Sequence, residues 1–266
     1  MAKGENPNET KRRKEVESIT LEQATALYLK SPKKRSKVTL NAYRLNIDKY
    51  LDDWKSKALK EITRKMVYDR HQKIGKNHGP YTANYVMKTF RAIYNRAMRQ
   101  HEELPPNPIV NVDWFPEKRR QEPIPPEKLS MWYAEVRKLS NPIRCDYNIS
   151  VLFTGLRRTD ALTMRWEDVD LEKGTLHRPN PKGGEERAFT VPLSDYLIKL
   201  LKARKEENDA FFPGNPWVFP SQSKTGHIAE PKERSLTWSP HRLRDTYTTA
   251  ANAVGLSPYD LSLIHI

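Results

Sequence analysis

The chain has a single cysteine, Cys145, so no internal disulfide can form and no pair of thiolates is available for a metal site; a buried, structural thiol is expected. Long apolar runs are also missing. No stretch approaches the roughly 20 residues of a bilayer-spanning helix, and the opening MAKGENPNETKRRKEVES lacks the apolar segment of a secretory signal. Neither condition for a membrane protein is met, and the expected location is the cytoplasm. There is no phosphate-cradling Walker loop, no carboxylate triad and no histidine spacing of a metal site, so no cofactor and no metal are expected. Acidic residues are the scarcer charge, 33 against 47 Lys and Arg, for a net +14.

That excess is unevenly placed. Residues 1–105 hold 24 Lys and Arg against 12 Asp and Glu, whereas residues 106–266 hold 23 against 21. A basic first half could serve a membrane surface or RNA, but a membrane-bound helix sets its basic face beside a lipid-facing apolar one. Here the charges spread over several helices, which favours double-stranded DNA as partner. At 266 residues there is room for two domains, each with its own core.

Residues 1–18 are polar, contain KRRK at 11–14 and show no apolar periodicity, as in a disordered basic arm. Thr20 and Gln23 form a capping box for a helix with Leu21, Ala24, Leu27 and Tyr28 on one face. A basic loop, Lys33, Lys34, Arg35 and Lys37, precedes a second helix from Thr39 to about Trp54. Thr63 caps a third helix that Gly75 is expected to end. A fourth, Tyr81 to His101, follows Gly79-Pro80 and carries Tyr85, Val86, Phe90, Ile93, Tyr94 and Met98 toward a core. Aromatic residues at helical spacing point to packing, leaving the charged faces for DNA. The seven prolines of Leu104 to Pro126 exclude a long helix and predict a stiff, extended connection that also carries KRR at 118–120.

Beyond it, Leu129, Trp132, Val136 and Leu139 mark one helix and Pro142 to Phe153 another, leading into VLFTGLRRTDALTMRWEDVD. Gly155 suits a left-handed helix end, and Thr159 or Asp160 would cap the next helix. Arg157 then stands on a rigid junction, as a bidentate anion ligand requires; a plain surface ion pair remains the other reading. Short strands, Thr175 to His177 and Arg187 to Val191, flank a Gly183-Gly184 turn with Lys182 at or near the tip. Ser194 opens a further helix, residues 209–240 are irregular, and after Pro240 a last helix places His241 and Arg244 three apart on one face. His227 reads as a loop histidine with no chemistry, and Tyr247 and Tyr259 as packing residues.

GLRRTDALTMRWEDVD, then the lysine of PKGGEERAFTVPLS, then HRLRDTYTT, in this order, resemble the tyrosine recombinase (phage-type integrase) family from about Ile19 to Asp260. The resemblance implies a mainly α fold in two domains, a four-helix N-terminal DNA-binding domain and an α-rich catalytic domain with a small antiparallel β-sheet. The boundaries are a disordered arm at 1–18, a core-binding helical domain at 19–104, a Pro-rich linker at 105–123 and a catalytic domain at 124–266. Arg157, Lys182, His241 and Arg244 are the catalytic residues it implies, with Lys182 protonating the departing 5′ oxygen. Candidate DNA contacts are Lys33, Lys34, Arg35 and Lys37, together with Thr63, Arg64, Lys65, Tyr81, Thr82 and Asn84 at two helix starts, where free N–H groups attract phosphate.

The resemblance further implies site-specific recombination for a mobile element, a bacterial or phage source, and a homo-tetramer on DNA. The family's second His or Trp box and its tyrosine would lie past Asp260, so the chain is expected to be truncated and to lack a nucleophile. Leu261 to Ile266 match the translation of a transposon-end tag and are expected to be foreign to the natural frame. A DNA-binding protein that does not cut is the alternative.

Overall fold

The computed structural model describes residues 19–31, 35–102, 104–117, 123–182, 184–229, 233 and 235–255. The expected N-terminal arm, Lys33, Lys34, the 118–120 basic triplet, Gly183, Tyr259 and the last six residues lie outside these. The chain divides into two compact units, Met1–Arg119 and Arg120–Ile266. No helix among the described residues is long and apolar enough to cross a membrane.

Among the described residues of the first unit four helices surround one core. Helix α1, Leu21–Leu29, starts with the expected capping box: Gln23 N donates to Thr20 Oγ1 at 3.2 Å and Thr20 N to Gln23 Oε1 at 2.9 Å. Helix α2, Lys37–Tyr50, starts two residues before the expected Thr39 because Ser36 is the cap, accepting from Thr39 N at 3.1 Å. It also stops before Trp54, where the chain tightens into a 3-10 turn, Asp52–Trp54, that still buries the indole edge-on to Phe90. Helix α4, Pro80–Met98, begins on proline, whose missing N–H costs nothing at that position. It packs on α1, α2 and α3 (Arg64–His78) and buries Val86, Met87, Phe90, Ile93 and Tyr94. Tyr85, expected inside, is 44% exposed and meets Tyr43 edge-on.

Helix α3, Arg64–His78, runs straight through Gly75 and ends at Gly79, which takes φ +86°. Gly75 serves a different need. A Cβ there would lie 2.6 Å from Cζ of Phe115, so the missing side chain admits a ring from the Pro-rich stretch. That stretch is a part of the first unit as far as Glu117. Leu104, Ile109 and Val112 are buried in its core, Phe115 stacks on His71 at 4.5 Å, and Asn84 Nδ2 donates to Phe115 O at 2.9 Å. Prolines do forbid a helix here, but an extended backbone still needs partners for its polar groups, and Asn84, Tyr94 and Asn107 supply them.

The second unit is built on α6, Pro142–Thr154, capped by Asn141 and packed by α5 (Leu129–Arg137), α7 (Arg158–Leu162), α8 (Asp195–Phe211) and α9 (Pro240–Ala253). Ser194 caps α8 as expected, its Oγ accepting from Leu197 N. A three-stranded antiparallel sheet, β1 (Val169–Asp170), β2 (Thr175–Arg178) and β3 (Phe189–Pro192), runs in the order β1-β2-β3 with Leu176 opposite Val191. The short β1 was not anticipated, and β3 starts two residues later than expected because Glu185–Arg187 form a 3-10 turn. The molecule is thus mainly helical with one small antiparallel sheet. Cys145 is free and buried. His227 packs edge-on to Trp217 with Nδ1 2.9 Å from Ile228 O, an ordinary loop role.

Candidate active site

The site is assembled where α6 stops. Gly155 takes φ +61°, a left-handed conformation that turns the chain sharply, and it has no room for a side chain because the ring of Tyr247 occupies the space. From α9, the same helix that carries Tyr247, Arg244 donates through Nη1 to the Gly155 carbonyl, one of the acceptors left over at a helix end. The turn and α9 are thereby locked together.

Arg157 follows the turn. It is itself the N-cap of α7, in an extended conformation with no side-chain cap, so neither Thr159 nor Asp160 has the capping role that the sequence suggested. Asp160 faces inward instead and is 4% exposed, because its position in the first turn of α7 points at the sheet. Its Oδ2 lies 4.0 Å from Arg157 Nη1, and its Oδ1 lies 3.6 Å from Nη2 of Arg178. Arg178, at the end of β2, is buried as well; it donates to Thr163 O at 2.8 Å and to Thr163 Oγ1 at 3.1 Å.

These charges act on one another. Burial lowers the pKa of Arg244, and the neighbouring positive charge of Arg157 lowers it further; Asp160 and Asp245 oppose both. Burial raises the pKa of Asp160, and Arg178, Arg157 and Arg244 pull it back, in that order. Arg244 makes no ion pair with a carboxylate among the described residues, and the Arg157 side chain is 38% exposed. Two guanidinium groups brought near each other in a half-dry setting, one of them open to solvent, repel unless an anion joins them. The arrangement is suited to a phosphate.

His241 is exposed in the first turn of α9, three residues before Arg244. Lys182 is exposed in the connection between β2 and β3, four residues beyond Arg178. The structure thus brings Arg157 and Arg244 together, with His241 on the helix that carries Arg244 and Lys182 on the connection that follows the strand of Arg178. Asp160 and Arg178 were missed by the sequence reading. Strand alternation held the signal for Arg178, since Leu176 and Arg178 both point inward and a charge at such a position needs a reason.

Among the tyrosines, burial raises the pKa of Tyr247. Tyr147 is buried with its hydroxyl 3.3 Å from Arg158 O, and the hydroxyls of Tyr133 and Tyr196 bond each other at 2.7 Å. Of the candidate DNA contacts, Lys37, Arg64 and Tyr81 are exposed at helix starts, and Thr82 is half-buried. Thr63 caps α3, Lys65 is 3.1 Å from Asp69, and Arg35 lies over the Tyr28 ring and donates to Ser31. Asn84 is not available to DNA: it is 1% exposed and its amide is committed to His71, Phe115 and Glu117, since the first turn of α4 faces the Pro-rich stretch.

Residues 133–261 match the phage integrase family. Prophage integrase IntF of Escherichia coli (strain K12) is 34% identical over 137 residues, which is 48% of this chain and 29% of that protein, so the chain spans less than a third of it. Tyrosine recombinase XerA of Pyrococcus furiosus is 25% identical over 262 residues, covering 90% of this chain and 82% of that one. In fold the chain resembles a lambda integrase, solved as a tetramer bound to a Holliday junction, with TM-score 0.74 at 17% identity, covering 100% of this chain and 82% of the other.

Proposed function

We propose that the chain is a tyrosine recombinase and that it takes part in site-specific DNA recombination, breaking and rejoining strands for a mobile element through a covalent phosphotyrosine. The observation that carries this reading is the placement of Arg157 and Arg244 beside each other at the Gly155 turn, with Asp160 behind them.

In the proposed step a tyrosine oxygen attacks the phosphorus of a DNA phosphodiester, the bond to the 5′ oxygen breaks, and a 3′-phosphotyrosine forms. Negative charge rises on the non-bridging oxygens in the five-coordinate transition state, and Arg157 and Arg244 bind these oxygens. Lys182 gives a proton to the departing 5′ oxygen, and His241 donates a hydrogen bond or assists proton transfer. The phosphotyrosine keeps the energy of the broken linkage, so a 5′ hydroxyl from another strand can reverse the step without ATP. Side chains supply all the charge that this scheme calls on.

The basic first unit would hold the duplex, with Lys37, Arg64 and Tyr81 at helix starts against the phosphates. Exchange between two paired sites would take four protomers, and the place of action would be the cytoplasm. No described tyrosine is assigned as nucleophile: Tyr247 is packed on Gly155, and the Tyr133, Tyr147 and Tyr196 hydroxyls are engaged elsewhere. None of these four described tyrosines is therefore expected to attack the phosphate.

The test is a nicked suicide substrate carrying the ends of the element, offered to the protein and resolved on a denaturing gel. A covalent adduct should accumulate, and Arg157→Lys or Arg244→Lys should reduce it by about a hundredfold or more while DNA binding persists, because lysine keeps the charge and loses the fork. Normal cleavage in either variant would remove that residue from the site. An adduct formed by the 266-residue chain and mapped to Tyr247 would overturn the nucleophile reading.

A further inference from the structure

The proposed chemistry leaves the buried guanidinium of Arg178 without a task. Arg178 is 6% exposed at an inward position of β2, where a sheet ordinarily buries an aliphatic side chain. Burying a charge is costly unless it is paired and its hydrogens are used. Here Thr163 takes two of them, through its carbonyl at 2.8 Å and its hydroxyl at 3.1 Å. Asp160 Oδ1 lies 3.6 Å from Nη2, and Asp168 Oδ2 lies 4.0 Å from Nη1. The second oxygen of Asp160 is buried, has no hydrogen bond, and faces Arg157 Nη1 at 4.0 Å.

We propose that Arg178 is a positioning residue for the phosphate site: it fixes one oxygen of Asp160 so that the other is aimed at Arg157, and it ties the base of the Lys182 hairpin to the helix that Arg157 opens. The proposal rests on the reading of Arg157 as a phosphate ligand. One side chain would then set two separate parts of the site in a common frame, since α7 and the β2–β3 hairpin meet at Arg178.

The charge is needed as well as the shape. A carboxyl buried at position 160 without Arg178 would hold its proton, because Arg178 is the foremost of the three arginines that oppose the effect of burial. A neutral carboxyl offers Arg157 a much weaker acceptor. Replacing Arg178 by a neutral residue removes one positive charge, and proton uptake by Asp160 restores it. The net charge around Arg157 and Arg244 is then unchanged, so a change in anion affinity reports orientation rather than field.

Sulfate, a dianion at every working pH, is the probe. It is titrated into the full chain and followed on the Nε–Hε resonances of Arg157 and Arg244 between about pH 5 and pH 8. Arg178→Met should weaken sulfate binding about tenfold and make it pH-dependent through Asp160, with Arg178→Lys in between. In an Asp160→Asn background Arg178→Lys, which keeps the charge, should add no further loss, whereas a purely structural role would give additive losses and leave the pH profile unchanged. Additive losses, or wild-type affinity and pH profile in a folded Arg178→Met, would overturn the proposal. Should Arg178→Met lose its thermal transition, Arg178→Lys and Asp160→Asn decide it, and wild-type sulfate affinity in both overturns it. Absence of any sulfate response at Arg157 in the wild-type chain would overturn the phosphate-site reading and this proposal with it; a normal response there with unaffected variants overturns this proposal alone.

Discussion

Asp160 is the residue on which most of the local electrostatics turn. Its pKa is raised by burial and only partly restored by Arg178, Arg157 and Arg244, so the folded protein holds the proton more readily than the unfolded chain does. The stability contributed by this carboxyl is fully present below the ordinary carboxylate range and is lost as pH rises through the raised value. Asp160→Asn should therefore flatten the decline of unfolding free energy across that window, measured by urea unfolding at a series of pH values. An unchanged slope would mean that Asp160 titrates as an ordinary carboxylate. The residue was legible as the acid of an Arg-Arg-Thr-Asp step, but its burial was not, because a surface helix cap and an inward carboxylate share the same local sequence.

At the scale of elements, helix starts were the most legible feature. Thr20, Thr63 and Ser194 each accept the expected backbone hydrogen bond, since a cap is decided within four residues. The three boxes of the candidate site were equally readable as order and spacing. What stayed hidden depends on contacts distant in sequence, such as Phe115 docked on α3 and Arg178 reaching Thr163. The docked stretch gives a prediction at this scale. Phe115→Ala should destabilise the first unit by about 2 kcal/mol, through the area returned to water. Asn84→Ala should cost on the order of 2 kcal/mol more than an exposed substitution on α4, because backbone groups of Phe115 lose their partner. Chemical denaturation would measure both, and a loss below about 0.5 kcal/mol in each would mean that the stretch is not held by these contacts.

For the whole molecule, the two compact units divide after Arg119, inside the 105–123 stretch expected as a linker. A first unit cut at residue 105 would lose Ile109, Val112 and Phe115 and should unfold at markedly lower denaturant concentration than one ending at 119. The charge difference belongs to the same scale. The 1–119 fragment should bind duplex DNA with a steep decline in affinity as salt rises, and the 120–266 fragment should bind more weakly. Fluorescence anisotropy across a salt series would decide it; equal affinity for both fragments would place the DNA-holding surface elsewhere.

Gly75 and Phe115 also bear on how this sequence can change over generations. A glycine inside a helix gives up about 1 kcal/mol to alanine, so on its own it should be replaced sooner or later. The ring of Phe115 is what forbids the replacement, since helix α3 is regular there and asks for no unusual backbone. The two positions should therefore drift as a pair. Lineages that trade Phe115 for a small residue become free to take alanine at 75, and once they have taken it the aromatic ring cannot return without a second change.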